Sequence, residues 1–304
     1  MKIGFLGVGR MGAPLAVALA ERQTVTAYDP VPSRAGALES SGVSAAPSAR
    51  AVVAGAETLI TVLPGAPEFE AAADEVLETL APGSLWIDLT SNDPRVADAV
   101  APAAAARGLL FVAAPMAGGP EGAGSRRLRF LLGGDEEGVR RAREVLAPLA
   151  AGNDRGADDD GITVAGSRAG DAHLVKLLSN LLWFGQVVAV SEAMLLGRSL
   201  GVDPDRLLAL LAAGPGTGTV VEQHFGAVLR GDYLADFGLD RVVEELDIVS
   251  SLAAERGMPF ELSELVTRTH REALLRFGAV DGELLAARLL EERAGDPLCS
   301  GGSS

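Results

Sequence analysis

Apolar and polar positions change their period along the chain. Residues 2–6 form a short apolar run stopped by glycines, which reads as a buried strand. Met11, Leu15, Ala18 and Leu19 then recur at helical spacing, and 24–28 is a β-rich run that ends at Asp29. The alternation continues with strands expected at 58–63, 85–89, 109–113 and 130–133. Helices are expected between them at 68–80, 94–107 and 136–149. Repeated β–α alternation predicts a parallel sheet covered on both faces, because each crossover helix packs back onto the sheet.

The pattern changes near residue 150. An Asp- and Gly-rich stretch at 152–161 reads as an exposed loop, and 162–164 reads as a last strand closing the first domain. From Gly170 onward no strand is expected. Residues 171–200 form one helical stretch, apolar almost all round, which implies burial between domains or subunits. Helices follow at 204–212, 220–229, 239–256, 263–276 and 282–293. The expected organisation is an α/β domain over 1–166, an all-helical domain over 167–294 and a small, polar, flexible tail at 295–304.

Composition narrows the function. A net charge of −15 disfavours a broad nucleic-acid face or adhesion to an anionic membrane. The single cysteine, Cys299, excludes a disulfide framework within the chain and any cysteine-rich zinc or iron–sulfur site, and no metal is expected. The N-terminal run is broken by glycines and Arg10, unlike a secretory signal. The apolar stretch 174–190 contains Lys176, Ser179, Asn180 and Gln186, short of an uninterrupted membrane span. A soluble cytoplasmic protein is expected.

Gly7-Val8-Gly9-Arg10-Met11-Gly12 fits G-x-G-x-x-G, directly after a predicted strand and at the start of a helix. Such a turn lets a pyrophosphate approach the backbone at a helix N-terminus. Asp29 ends the second predicted strand, where a carboxylate accepts hydrogen bonds from the adenosine ribose and repels a 2′-phosphate. The α/β domain is therefore read as a doubly wound, Rossmann-type sheet that binds NAD by preference, with NADP second. Arg34, five residues on, would soften that preference.

Of 26 basic residues only Lys2 and Lys176 are lysines. His173, Lys176 and Asn180 stand at i, i+3 and i+7, on one face of the predicted long helix. Apolar neighbours favour the neutral amine, which suits a general acid/base, with Asn180 orienting a substrate hydroxyl or holding the lysine. The plainer alternatives are a lysine that snorkels to solvent or pairs with Asp171. His173 reads as a satisfied polar neighbour, and His224 and His270 as surface or interface residues.

Five ordered blocks carry a resemblance that covers nearly the whole chain: GFLGVGRMGAPLA (4–16), TVLPG (61–65), DLTSNDP (88–94), APMAGGPEGA (114–123) and GDAHLVKLLSN (170–180). They resemble the β-hydroxyacid dehydrogenase family, which includes 3-hydroxyisobutyrate dehydrogenase and tartronate semialdehyde reductase and is related to 6-phosphogluconate dehydrogenase. The resemblance implies reversible oxidation of a 3-hydroxy acid by a nicotinamide cofactor, with Lys176 as acid/base and Asn180 assisting. It implies that Leu63 and Pro64 border the nicotinamide-side ribose and that Ser91 lies near the nicotinamide. Ala117, Gly118 and Gly119 would face the substrate, the glycines offering N–H groups to its carboxylate.

Three segments depart from the family pattern. Ala117 stands where serine is usual, Arg126-Arg127-Leu128 replaces G-T-L, and Glu244-Glu245 replaces Lys-Asp. Arg126, Arg127 and Arg129 form a local basic cluster, either a greeting for an anionic substrate group or a solvated face. These departures point to a specialised substrate. The alternatives are an NADPH-dependent imine reductase, which resembles this fold but usually lacks the lysine, and a non-catalytic cofactor-binding scaffold. Only a small-molecule substrate is expected as ligand, and the apolar long helix implies a homodimer, with a tetramer as the larger alternative.

Overall fold

The computed structural model describes residues 1–152 and 159–299, in two compact units divided after Lys176. In the first unit, nine strands make one sheet: β1 (Lys2–Leu6), β2 (Thr24–Tyr28), β3 (Val43–Ala45), β4 (Thr58–Thr61), β5 (Leu85–Asp88), β6 (Leu110–Ala113), β7 (Met116–Ala117), β8 (Arg129–Gly134) and β9 (Ile162–Gly166). The helices are α1 (Gly12–Ala20), α2 (Pro32–Gly36), α3 (Ala49–Gly55), α4 (Ala66–Thr79), α5 (Pro94–Ala106), α6 (Gly119–Ser125) and α7 (Glu136–Leu146), followed by α8 (Ala169–Ser199).

Strand order is β3-β2-β1-β4-β5-β6-β8-β7, with β9 on β8. The first six strands are parallel in the order 3-2-1-4-5-6, the doubly wound arrangement whose order reverses between β1 and β4. The expectation of a wholly parallel sheet needs one correction. β8 runs antiparallel to β6 and β7, and parallel pairing resumes only with β9. The short β7–α6 excursion that follows β6 returns the chain in the opposite direction, so no crossover helix separates β6 from β8.

Each face of the sheet has its own core. One is built on Phe5, Leu15, Leu19, Ile60, Ile87, Phe130 and Leu146. The other holds Val52, Leu59, Val76, Ala169 and Ala172 around Phe69, Trp86 and Phe111. Trp86 stacks on Phe69 at 5.3 Å and meets Phe111 edge-on at 4.9 Å.

The second unit is helical. It comprises the rest of α8, then α9 (Pro204–Ala212), α10 (Phe225–Leu229), α11 (Leu239–Glu255), α12 (Glu261–Phe277) and α13 (Leu285–Ala294). Its core gathers Leu177, Phe184, Val187, Met194, Phe225, Leu246 and Leu285. The helix expected at 220–229 opens with a π-type turn, Val220–His224, before α10. α8 is long and apolar enough to cross a membrane on length and composition alone; 33% of its apolar 18-residue stretch is buried, and Leu177, Leu181, Phe184, Val187 and Val188 are among the buried residues of the helix. His270, expected near the surface, is fully buried, with Nδ1 2.9 Å from the Val266 carbonyl.

The tail expected to be flexible from 295 is anchored as far as it is described. Leu298 is buried, its N–H donates to Glu291 at 2.6 Å, and Arg198 holds Asp296. Residues 300–304 lie outside the described residues, as does most of the loop expected at 152–161.

Candidate active site

The carboxyl ends of the parallel strands carry the residues singled out above. Gly7 follows β1 with φ +92, and its N–H donates to Tyr28 O at 2.9 Å. A Cβ at Gly7 would strike the Val62 carbonyl, and one at Gly12 would strike the Gly7 carbonyl, so both glycines are demanded by the protein's own packing. Gly9 is different. A Cβ there would meet no protein atom within 4 Å. The space over Gly9, at the mouth of α1, is what a pyrophosphate requires, so this turn fits an NAD(P) cofactor. Val8, Arg10 and Met11 complete the turn, Val8 buried and Arg10 exposed.

Asp29 is buried at the end of β2. Its carboxylate accepts from Val8 N–H at 3.1 Å and from Val31 N–H at 2.9 Å, and Arg34 Nη1 lies 3.3 Å away. It therefore braces the glycine turn, a duty that spacing alone did not reveal.

Leu63 and Pro64 follow β4, and Thr90 and Ser91 follow β5. The two loops are tied by Leu63 N–H donating to Thr90 Oγ1 at 3.1 Å. Beneath them Asp88 has no exposure. Its Oδ1 accepts from Thr61 Oγ1 at 2.7 Å and from Thr90 N–H at 3.2 Å, and its Oδ2 accepts from Asn92 Nδ2 at 3.3 Å. Trp86 Nε1 donates to Thr61 Oγ1 at 3.2 Å, extending the network into the aromatic core. Burial pushes the Asp88 carboxyl up to about 6 against the pull of these donors. Facing it on α8 is His173, also buried, with Nε2 3.7 Å from Asp88 Oδ2. Burial presses the His173 ring down to about 3, although Asp93 and Asp98 pull the other way. Its expected role as a satisfied polar neighbour is corrected, since neither ring nitrogen finds a hydrogen bond among the described residues.

Within the first unit the start of α8 is held by Asp98, which accepts from Gly170 N–H at 2.9 Å and pairs with Arg168. Asp171 accepts from Arg168 N–H at 3.0 Å. Lys176 follows His173 by three residues on α8 and is half-buried, and Asn180 follows one turn later. In the second unit Asn180 Nδ2 donates to the buried Glu245 at 2.6 Å. A carboxylate only accepts, so this bond fixes which end of the amide is which. Asn180 presents Oδ1 elsewhere, as an acceptor. Glu244 is instead taken by Arg241 at 2.7 Å. Trp183 continues the same face of α8, and His224 packs edge-on against it at 4.9 Å rather than lying free at the surface.

Ala117 ends β7, and Gly118 and Gly119 open α6 with φ +122 and +58, all three exposed. The basic cluster is engaged: Arg126 pairs with Glu21, and Arg129 with Asp159 at 2.6 Å. That favours the solvated-face reading. No group of metal-ligating side chains is found among the described residues.

A family described as the NAD binding domain of 6-phosphogluconate dehydrogenase matches residues 2–166. A second, described as NAD-binding of NADP-dependent 3-hydroxyisobutyrate dehydrogenase, matches 170–290. The chain belongs to the β-hydroxyacid dehydrogenase family. It is 33% identical over 215 residues to a probable 3-hydroxyisobutyrate dehydrogenase of Mycobacterium bovis, covering 70% of each chain. It is 27% identical to an NAD-dependent L-serine dehydrogenase of Pseudomonas aeruginosa, covering 95% of this chain and 97% of that one. The solved Mycobacterium tuberculosis 3-hydroxyisobutyrate dehydrogenase with L-serine superposes with a TM-score of 0.83 at 26% identity, covering 95% and 98%. An imine reductase of Streptomyces aurantiacus is more distant, sharing the fold at 20% identity and a TM-score of 0.62 over 95% and 99%. This dehydrogenase family supplies the oxidoreductase class, and the two nicotinamide-binding matches supply the cofactor class.

Two outcomes test the site. Gly12→Ala is expected to lower the melting temperature, and Gly9→Ala to keep it within about 2 °C while weakening NAD(P) binding at least about tenfold, measured by calorimetric titration. Equal binding by Gly9→Ala and wild type would remove the cofactor from this turn.

The second outcome concerns pH. Between about pH 4 and 6 the folded chain keeps a proton on Asp88 that the unfolded chain, titrating near 3.8, has lost. That contribution is present at low pH and fades as pH rises to about 6. His173 works in the opposite sense. Unfolded it binds a proton below 6.5, folded only below about 3, so its contribution fades as pH falls through that window. Relative to wild type, stability should climb more steeply between about pH 4 and 6 in Asp88→Asn and less steeply in His173→Gln. Urea midpoints across that range check the signs, and parallel curves for all three proteins would contradict them.

Proposed function

We propose that this chain oxidises a small 3-hydroxy acid, or reduces the matching semialdehyde or keto acid, with NAD as preferred cofactor and Lys176 as general acid/base. The observation that carries the reading is the placement of Lys176 and Asn180 one turn apart on α8, with the helix start capped by Asp98 and the Asn180 amide oriented by Glu245. When bound, the nicotinamide supplies the hydride acceptor or donor. In the oxidation direction Lys176 Nζ takes the hydroxyl proton as the C–H hydride leaves and the C=O bond forms. In reduction it returns that proton to the new alkoxide oxygen. Asn180 Oδ1 accepts a hydrogen bond from the lysine ammonium or the substrate hydroxyl. Ser91 borders the reacting end, and the Gly118 and Gly119 N–H groups receive the substrate carboxylate. Ala117 removes the hydroxyl that serine would add, which suits a substrate less dependent on that contact.

Asp29 supports the NAD preference. Its carboxylate retains acceptor capacity for ribose hydroxyls and opposes a 2′-phosphate, while Arg34, half-exposed beside it, offsets part of the repulsion. NADP is therefore the second cofactor. Absorbance at 340 nm, with each cofactor against 3-hydroxy acids, semialdehydes and cyclic imines, tests the whole reading. NAD-linked turnover of a 3-hydroxy acid that falls about 100- to 10,000-fold in Lys176→Ala is expected. Undiminished turnover in that variant would sink the lysine's role, and turnover of imines alone would replace the reaction.

A homodimer belongs to the same proposal. Leu174, Leu178, Leu182, Ala189, Ala193, Leu196 and Leu200 are exposed in one stripe along α8, with Leu182 at 68% and Leu200 at 76%. A second copy would cover such a stripe more readily than water would. Light scattering should give twice the chain mass, or four times for a tetramer, and a monomer at micromolar concentration would remove the claim.

A further inference from the structure

Asp88 stands where three segments meet. Through Thr61 it holds the end of β4, which leads to Leu63 and Pro64. Through Thr90 and Asn92 it holds the loop that carries Ser91. Across from it, on α8, lies His173. Thr61, Asp88, Thr90, Asn92 and His173 are buried, and all of these residues belong to the first unit.

His173 is the unexplained member. A neutral imidazole always carries one N–H and one bare nitrogen. Here neither nitrogen has a hydrogen-bond partner among the described residues, and both are sealed from water. The other carboxylates that act on the ring are committed elsewhere. Asp93 is held by Arg95 at 2.6 Å, and Asp98 by Arg168 and Gly170 N–H. Asp171 caps Arg168 N–H. Asp88 Oδ2 is the acceptor that faces Nε2, at 3.7 Å. Closing that gap to an ordinary hydrogen bond needs a movement of about 0.5–1 Å.

We infer that Asp88 and His173 form a buried positioning pair in which the Nε2–H tautomer of His173 donates to Asp88. The bond ties the turn of α8 that precedes Lys176 to the loop that carries Thr90 and Ser91. The inference rests on the reading of Lys176 as acid/base given above. His173 touches neither substrate nor cofactor in this account. It acts by fixing where Lys176 stands relative to the cofactor-side loops. Lys176 is three residues on, so a shift of the His173 turn is transmitted to it directly. Misplacement on this scale can reduce a rate by up to about 100-fold without weakening binding. The Asp88 carboxylate also sets the tautomer. With Nε2 protonated, Nδ1 is left bare, and the ring stays neutral because its surroundings favour the uncharged form.

The test uses the full chain labelled with ¹⁵N-histidine. The sequence has three histidines, so three imidazoles are observed, and loss of one in His173→Gln assigns it. His173 is expected to be neutral and Nε2-protonated from about pH 7 to 9, where Asp88 is ionised, with a resonance that moves in Asp88→Asn. An Nδ1–H tautomer, a ring that titrates near the ordinary histidine value, or a signal indifferent to Asp88→Asn would overturn the pair.

Kinetics tests the positioning. His173→Leu, which has no donor, should keep NAD binding within about twofold while kcat falls about tenfold or more. His173→Gln, which restores an N–H at similar reach, should recover most of kcat. Wild-type kcat in His173→Leu would make the pair purely structural and overturn the inference. If His173→Leu does not fold, Asp88→Asn gives the same kcat comparison. Full activity in Lys176→Ala would refute the proposed chemistry instead, and would leave the histidine spectra as they stand.

Discussion

A carboxylate sealed from water must gather hydrogen-bond donors or give up its charge, and Asp88 gathers donors. Its donors come from the end of β4 and from the loop after β5, and burial still raises it to about 6. The placement of the loops after β4 and β5 follows from this. Thr61 is turned inward by Asp88 and by the Trp86 indole, so the chain leaving β4 can pass Leu63 N–H to Thr90. An apolar residue at 88 would fill the space. It would leave Thr61 and the Thr90 N–H without this acceptor, in a region where an unmet polar group costs about 1–3 kcal/mol.

Local chemistry was readable in the sequence wherever one short segment carries it. The glycine turn is an example. Gly7 and Gly12 answer steric demands within residues 7–12 and the adjoining strand, and Gly9 leaves the space a phosphate needs. Asp29 was found for its place after β2, but its grip on Val8 N–H was not, because that bond spans 21 residues. The long helix was legible through periodicity, and its start matches within two residues. β3 was missed because only Val43 of its three residues is buried, too few to show a period. β7 and α6 were missed for a related reason: two residues and a glycine-rich turn carry no hydrophobic pattern, and with them went the reversal of β8.

Tertiary polar contacts were the least legible part of the candidate site. In the sequence Asp88 is only the first letter of a motif, and His173 reads as a satisfied neighbour. Nothing in the spacing of positions 88 and 173 brings them together. The same holds for Glu245, flagged only as a departure from the family's aspartate. In the structure it is the residue that settles the amide of Asn180. A carboxylate has no proton to give at neutral pH, so the amide must turn its nitrogen that way, and its oxygen is the end turned elsewhere. The extra methylene of glutamate, compared with aspartate, changes how far that grip reaches across the helix pair. Departures that look like losses of family chemistry can therefore be replacements made with a different reach.

The acid/base role proposed for Lys176 follows the same protonation logic. This chain uses arginine for every basic position except 2 and 176. Among the described residues, guanidinium groups pair with Asp29, Asp93, Asp98 and Glu244. A guanidinium serves well there because it stays charged in every environment a protein offers. A group that must take a proton in one direction of the reaction and return it in the other cannot have that property. It needs a conjugate base within reach of neutral pH, and among the cationic side chains with a long stem only lysine supplies one when partly desolvated. Lys176 is half-buried on α8, one turn before an amide whose acceptor end is fixed. Arginine would fit the charge pattern of the rest of the molecule and fail at this one step.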